Sequence, residues 1–75
     1  MVVLGIDPGI TNMGLGVVEQ VGKQPRMLFA DVVKTVHGDP TPKRVGAIYD
    51  AVYHAVATYK PQCIAVEEQF FYRQN

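Results

Sequence analysis

A chain of 75 residues has room for one small domain at most, since folding at this size removes only about 60% of the unfolded surface from water. Seven Lys and Arg offset seven Asp and Glu, which excludes the basic balance of an autonomous nucleic-acid binder and leaves any such function to a local patch. One cysteine, Cys63, excludes a disulfide and a cysteine-based metal site, and the short apolar run before Asp7 is too brief for a signal core or a membrane span, so a cytoplasmic protein is expected.

Val2 to Asp7 reads as a strand, with Val2, Leu4 and Ile6 on one face and Val3, Gly5 and Asp7 on the other. Apolar residues on both faces predict a central position. Pro8 to Met13 forms a turn in which Pro8 presets φ and Gly9 supplies a positive φ. Gly14 to Gln20 predicts a second strand, whose glycines permit close approach of backbone, ligand or neighbouring strand. After a polar connection over Val21 to Pro25, a third strand is expected over Met27 to Val36, where Asp31 and Lys34 indicate an edge or half-exposed position. Three sequential strands make an antiparallel meander.

His37 to Pro42 is a break in which Asp39 or Thr41 is available as a helix N-cap, each followed by a proline suited to the first helical position. From Lys43 to Tyr59 the apolar spacing changes to three and four, with Val45, Ile48, Val52, Ala55, Val56 and Tyr59 along one face of a helix that Pro61 ends. Tyr49 and Tyr53 widen this stripe, and all three tyrosines read as packing residues with solvated hydroxyls. His37 and His54 read as structural or exposed. Lys43 and Arg44 read as a solvated face, although a cation there opposes the helix dipole. Gln62 to Glu67 predicts a fourth strand, reached through the helix and therefore parallel to the first, with Cys63 as a small core residue.

Two strand-like runs end on carboxylates: Leu4-Gly5-Ile6-Asp7-Pro8-Gly9 and Ile64-Ala65-Val66-Glu67-Glu68. Each alone has an ordinary reading, because Asp-Pro-Gly is a common turn and acids at a strand end often mark where solvent begins. If the two strands are neighbours, however, the acids converge as hard oxygen donors for a divalent cation. Alternation along a strand points Glu67 and Glu68 to opposite faces, so only one of them joins Asp7. The tail Phe70-Phe71-Tyr72-Arg73-Gln74-Asn75 interleaves aromatics with a cation and amides, a composition suited to exposed bases and backbone. Its alternative is that Phe70 and Phe71 begin the next helix as core residues.

The order β-β-β-α-β, with Gly5-Ile6-Asp7-Pro8-Gly9, Gly14-Leu15-Gly16-Val17-Val18 and Ala65-Val66-Glu67-Glu68-Gln69-Phe70, resembles the RuvC family of bacterial Holliday-junction resolvases along the whole chain. The resemblance implies an α/β fold of the ribonuclease-H-like type, with residues 1–75 as the N-terminal part of a single nuclease domain, incomplete at its C-terminus. It implies a homodimeric endonuclease that nicks two opposite strands of four-way junction DNA in recombination and repair, partnered by a junction-migrating helicase complex. In the family four acids bind two Mg²⁺ ions, with Mn²⁺ as a substitute, and Asp7 and Glu67 would be the first two of these metal-binding, catalytic acids. Glu67 is preferred to Glu68 because the family carries an aromatic three residues after its glutamate, the place Phe70 holds. Phe70 would contact bases, Arg73 phosphate, and Phe71 and Gln74 the adjoining DNA. The two later acids have no counterpart here, so the chain alone is expected not to cleave. Ile10 departs from a family position that is often small and polar. A junction-binding module without cleavage is one alternative. The N-terminal segment of an actin-like ATPase is another, disfavoured because Pro8 offers a phosphate no amide hydrogen.

Overall fold

In the computed structural model, which describes residues 1–67, the period-two segments form β1 (Val2–Asp7), β2 (Asn12–Val21), β3 (Gln24–Lys34) and β4 (Cys63–Val66). The segment with helical spacing forms α1 (Thr41–Tyr59). Glu68, Phe70, Phe71, Arg73 and Gln74 lie outside the described residues. The sheet order is β3-β2-β1-β4, with an antiparallel meander through the first three strands and β4 parallel to β1. This is the mixed-sheet start of a ribonuclease-H-like α/β fold, and β1 is central, as its two apolar faces require.

Alternation sorts the sheet into two unlike faces. Leu4 and Val17 stand opposite one another in β1 and β2 and are fully buried, with Met13, Leu15 and Ala55 completing the core. Around them pack Ile6, Phe29, Val33, Ile48, Val52 and Tyr59, so α1 covers this face across β1 to β3. The Phe29 and Tyr59 rings stack with centroids 5.5 Å apart.

The local differences from the sequence expectation have physical causes. β2 and β3 meet in a tight hairpin because Gly22 takes φ +61°, and Pro25 is accommodated in the edge strand opposite Gln20. β3 ends at Lys34, two residues before Val36. Neither Asp39 nor Thr41 caps α1. Pro40 holds the N-cap position without a side-chain bond, and its carbonyl accepts the amides of Lys43 and Arg44 at 3.0 and 3.2 Å. Asp39 pairs instead with Lys43 Nζ at 3.4 Å. The helix ends through Lys60, left-handed at φ 49°, whose amide donates to the Val56 carbonyl before Pro61 intervenes.

The buried face of α1 is narrower than its apolar stripe. Tyr59 packs, but Tyr49 and Tyr53 are about two-thirds exposed and stack on each other at 6.1 Å, while Val45 is half exposed. Among the described residues Cys63 is exposed rather than a core residue, because β4 lies beyond the part of the sheet that α1 covers. Among the described residues no helix is long and apolar enough to cross a membrane.

The depth of Leu4 sets a test of this core. Leu4→Ala is expected to lower stability by about 2–5 kcal/mol in urea unfolding, and a loss below about 1 kcal/mol would mean the β1–β2 layer is not the centre of packing.

Candidate metal centre

The parallel register of β1 and β4 pairs Gly5 with Ala65 and Ile6 with Val66. The Glu67 amide donates to the Ile6 carbonyl at 3.0 Å, carrying the ladder one residue past β4 and setting Glu67 beside Asp7. Both side chains leave the sheet on the face opposite α1, where an open cleft is floored by Gly5, Gly14, Gly16 and Ala65. Gly14 stands directly opposite Asp7, and a Cβ there would lie 3.3 Å from Asp7 Cβ and 4.0 Å from Oδ2. Glycine at this position leaves the space beside the carboxylate open.

The turn after Asp7 is tightly drawn. A Cβ on Gly9 would come within 2.3 Å of the Asn12 carbonyl oxygen, so glycine is required by close approach. The positive φ expected of Gly9 is not observed; Gly22 and Gly38 are the glycines that adopt one among the described residues. The Thr35 hydroxyl donates to the Ile10 carbonyl, and the Thr35 amide donates to the Thr11 carbonyl at 3.1 Å. Arg44 belongs to this turn rather than to a solvated face: it is half-buried and donates from Nε to Thr35 Oγ1 at 3.0 Å and from Nη2 to Thr11 Oγ1 at 2.9 Å. The one sequence signal for it is a cation in a first helical turn, where the dipole disfavours positive charge. Lys43 does remain on the surface, paired with Asp39.

The two carboxylates are electrostatically linked. The protonated Glu67 carboxyl donates to Asp7, and the Asp7 charge beside it disfavours ionisation, so Glu67 is held above its ordinary 4.5, with desolvation acting in the same direction. The two exposed acids stand side by side with four carboxylate oxygens between them, a donor set suited to a hard divalent cation such as Mg²⁺ or Mn²⁺. Among the described residues no third His, Cys, Asp or Glu joins them, so water or other groups would complete an octahedral shell. His37 and His54 are not part of the pair. The residues present therefore fit a divalent ion as a partial ligand set.

A family model described as crossover junction endodeoxyribonuclease RuvC matches residues 3–75. The RuvC of Thermus thermophilus is 53% identical over 78 residues, a match covering all of this chain and 47% of that relative. The RuvC of Mycolicibacterium vanbaalenii is 46% identical over 71 residues, covering 93% of this chain and 37% of the relative. A solved structure of Thermus thermophilus RuvC superposes with a TM-score of 0.91 at 52% identity, covering 100% of this chain and 47% of that one. A second, T. thermophilus RuvC in complex with a Holliday junction substrate, gives a TM-score of 0.91 at 51% identity, covering 100% and 48%. The chain thus spans about half the length of the curated relatives it matches.

The Asp7–Glu67 linkage has a pH signature. Because the folded state retains the Glu67 proton above the ordinary value of 4.5, the stability the pair contributes is full below that pH and is lost as pH rises through the higher folded value. Asp7→Asn removes the neighbouring charge, so an NMR titration following the Glu67 carboxyl carbon should show its midpoint move down. An unmoved midpoint would mean that the two carboxylates do not share a site.

Proposed function

The chain belongs to the RuvC family, and from that premise we propose that the whole protein is a divalent-metal-dependent endonuclease that resolves four-way DNA junctions by paired nicks. The observation that carries this reading is the adjacency of Asp7 and Glu67 on neighbouring parallel strands, on the face that α1 leaves open. The solved relative in complex with a Holliday junction substrate supports the choice of DNA.

In this reading residues 1–75 are the N-terminal part of a single ribonuclease-H-like nuclease domain, and the remaining acids belong to the part of the whole protein that corresponds to the unmatched half of the relatives. Two Mg²⁺ ions, or Mn²⁺ in their place, supply an activated water and neutralise charge on the scissile phosphate. Asp7 holds its carboxylate at the end of β1 and Glu67 holds the second at the end of β4. Glu67, whose carboxyl is held above its ordinary value by Asp7, would have to be ionised to hold a cation, so metal affinity should rise with pH. The glycine floor lets a sugar-phosphate backbone approach the pair closely, since Gly5, Gly14 and Gly16 carry no side chain there.

Phe70 stacks on a base exposed at the junction, Arg73 meets phosphate, and Phe71 and Gln74 complete the contact. The protein acts as a homodimer, because nicks in two opposite strands require two sites related by the twofold symmetry of the junction. It works in the cytoplasm beside a junction-migrating helicase complex, as its family membership suggests. The 75-residue chain by itself, with two of the acids, does not cleave.

The test is a cleavage and gel-shift assay of the full-length protein on a synthetic four-way junction with Mg²⁺. Paired nicks are expected, with Asp7→Asn and Glu67→Gln abolishing them while junction binding persists, because each removes a ligand and leaves the DNA surface intact. Retained cutting by Asp7→Asn would overturn the metal-centre reading, and binding without cutting by the wild type would make the protein a junction-binding module. Phe70→Ala should weaken the transition-state interaction by the equivalent of one lost stacking contact, about 1–3 kcal/mol, and unchanged turnover would return Phe70 to a packing role.

A further inference from the structure

We propose that Arg44 and Thr35 are positioning residues that hold the turn after β1, and through it the Asp7 carboxylate, in the arrangement that receives a divalent cation. This rests on the reading of Asp7 as a metal ligand.

Arg44 occupies the first turn of α1, where its charge meets the positive end of the helix dipole, and among the described residues no carboxylate pairs with it. What it has instead is two hydroxyl acceptors on different elements: Thr35 Oγ1 just past β3 at 3.0 Å and Thr11 Oγ1 in the turn at 2.9 Å. Thr35 then reaches the turn twice more, through its hydroxyl to the Ile10 carbonyl and through its amide to the Thr11 carbonyl. Two consecutive turn residues are thus tied to β3 and α1, elements that the core fixes through Val33 and Ile48. At the other end of the turn Gly9 lies against the Asn12 carbonyl.

Between Gly9 and Asp7 stands only Pro8, whose ring locks φ. A displacement of the turn at Ile10 and Thr11 is therefore handed on to Asp7 with little slack to absorb it. The guanidinium suits the task because Nε and Nη2 are fixed side by side and engage both hydroxyls at once. A lysine ammonium keeps the charge but has no such fork. Thr35 is the shared node, accepting from Arg44 while donating to Ile10.

The experiment measures Mn²⁺ affinity of the full-length protein by calorimetry, junction affinity in EDTA by gel shift, and thermal midpoint, for wild type, Arg44→Lys, Thr35→Val, Thr35→Ser and Asp7→Asn. Arg44→Lys and Thr35→Val should each weaken Mn²⁺ binding about tenfold, the scale of lost outer-shell support. Thr35→Ser, which keeps the hydroxyl, should restore most of the affinity, and junction affinity without metal should not change. Should Arg44→Lys fail to fold, the Thr35 pair decides.

Unchanged Mn²⁺ affinity in the folded variants overturns the proposal, as does an equal loss in Thr35→Ser. Loss of junction affinity in Arg44→Lys, with Mn²⁺ binding intact, also overturns it and makes Arg44 a DNA contact. Wild-type protein whose Mn²⁺ binding does not depend on Asp7 overturns this inference together with the metal-centre reading. Junction binding without cleavage, with Mn²⁺ affinity still sensitive to Arg44 and Thr35, removes the nuclease reading alone and leaves the positioning role standing.

Discussion

The register between β1 and β4 governs the rest of the molecule. Ile6 faces Val66 across a parallel ladder that the Glu67 amide extends, and Asp7 and Glu67 meet only because both strands are cut to end at the same level. In a strand the side-chain period is two, so a slip of a single residue would turn Glu67 to the α1 side and Val66 to the open side. Burial holds the register on the β1 side, where Leu4 has no access to water and Ile6 packs against the core. The amide of Val2, received by the Gln62 side chain at 2.7 Å, and that of Gln62, received by the Val2 carbonyl at 2.9 Å, fix the other end of the same ladder.

This register divides labour between the faces. The face toward α1 carries branched and aromatic side chains and supplies cohesion; the opposite face carries glycine and alanine beside the two acids and supplies access. Gly14 illustrates the division. It weakens β2 as a strand residue, yet a methyl group there would press against the Asp7 side chain. The acids remain exposed, so neither depends on a costly burial of charge.

Much of the fold was legible because the period changes sharply along the chain, from two in Val2–Asp7 to three and four between Lys43 and Tyr59, and because a helix between two strands favours a parallel crossover. The adjacency of Asp7 and Glu67 followed from that topology, while their role in chemistry is a proposal. What escaped the sequence was set by partners distant along the chain. Arg44 looked like a solvated cation because Thr11 and Thr35, its acceptors, are brought to it only by the fold. Gly9 looked like a positive-φ glycine because Asp-Pro-Gly usually requires one, whereas here the Asn12 carbonyl decides. Cys63, Tyr49 and Tyr53 looked buried because apolar character does not tell which part of a sheet one helix can cover. The N-cap was misplaced because Pro40 satisfies the first amides with its own carbonyl and leaves Asp39 free to pair with Lys43.

The placement of the two acids has a mechanical side. β1 opens the chain and β4 comes after the meander and the helix, so Asp7 and Glu67 sit at the two ends of a long closed loop, joined laterally by a four-residue ladder. On the proposed reading, a cation held between them would be a reversible staple across that loop: it would bind the folded chain, find no such pair in the unfolded one, and draw the folding equilibrium toward the closed form as its concentration rises. Metal supply and the cohesion of the sheet would in this way be thermodynamically linked.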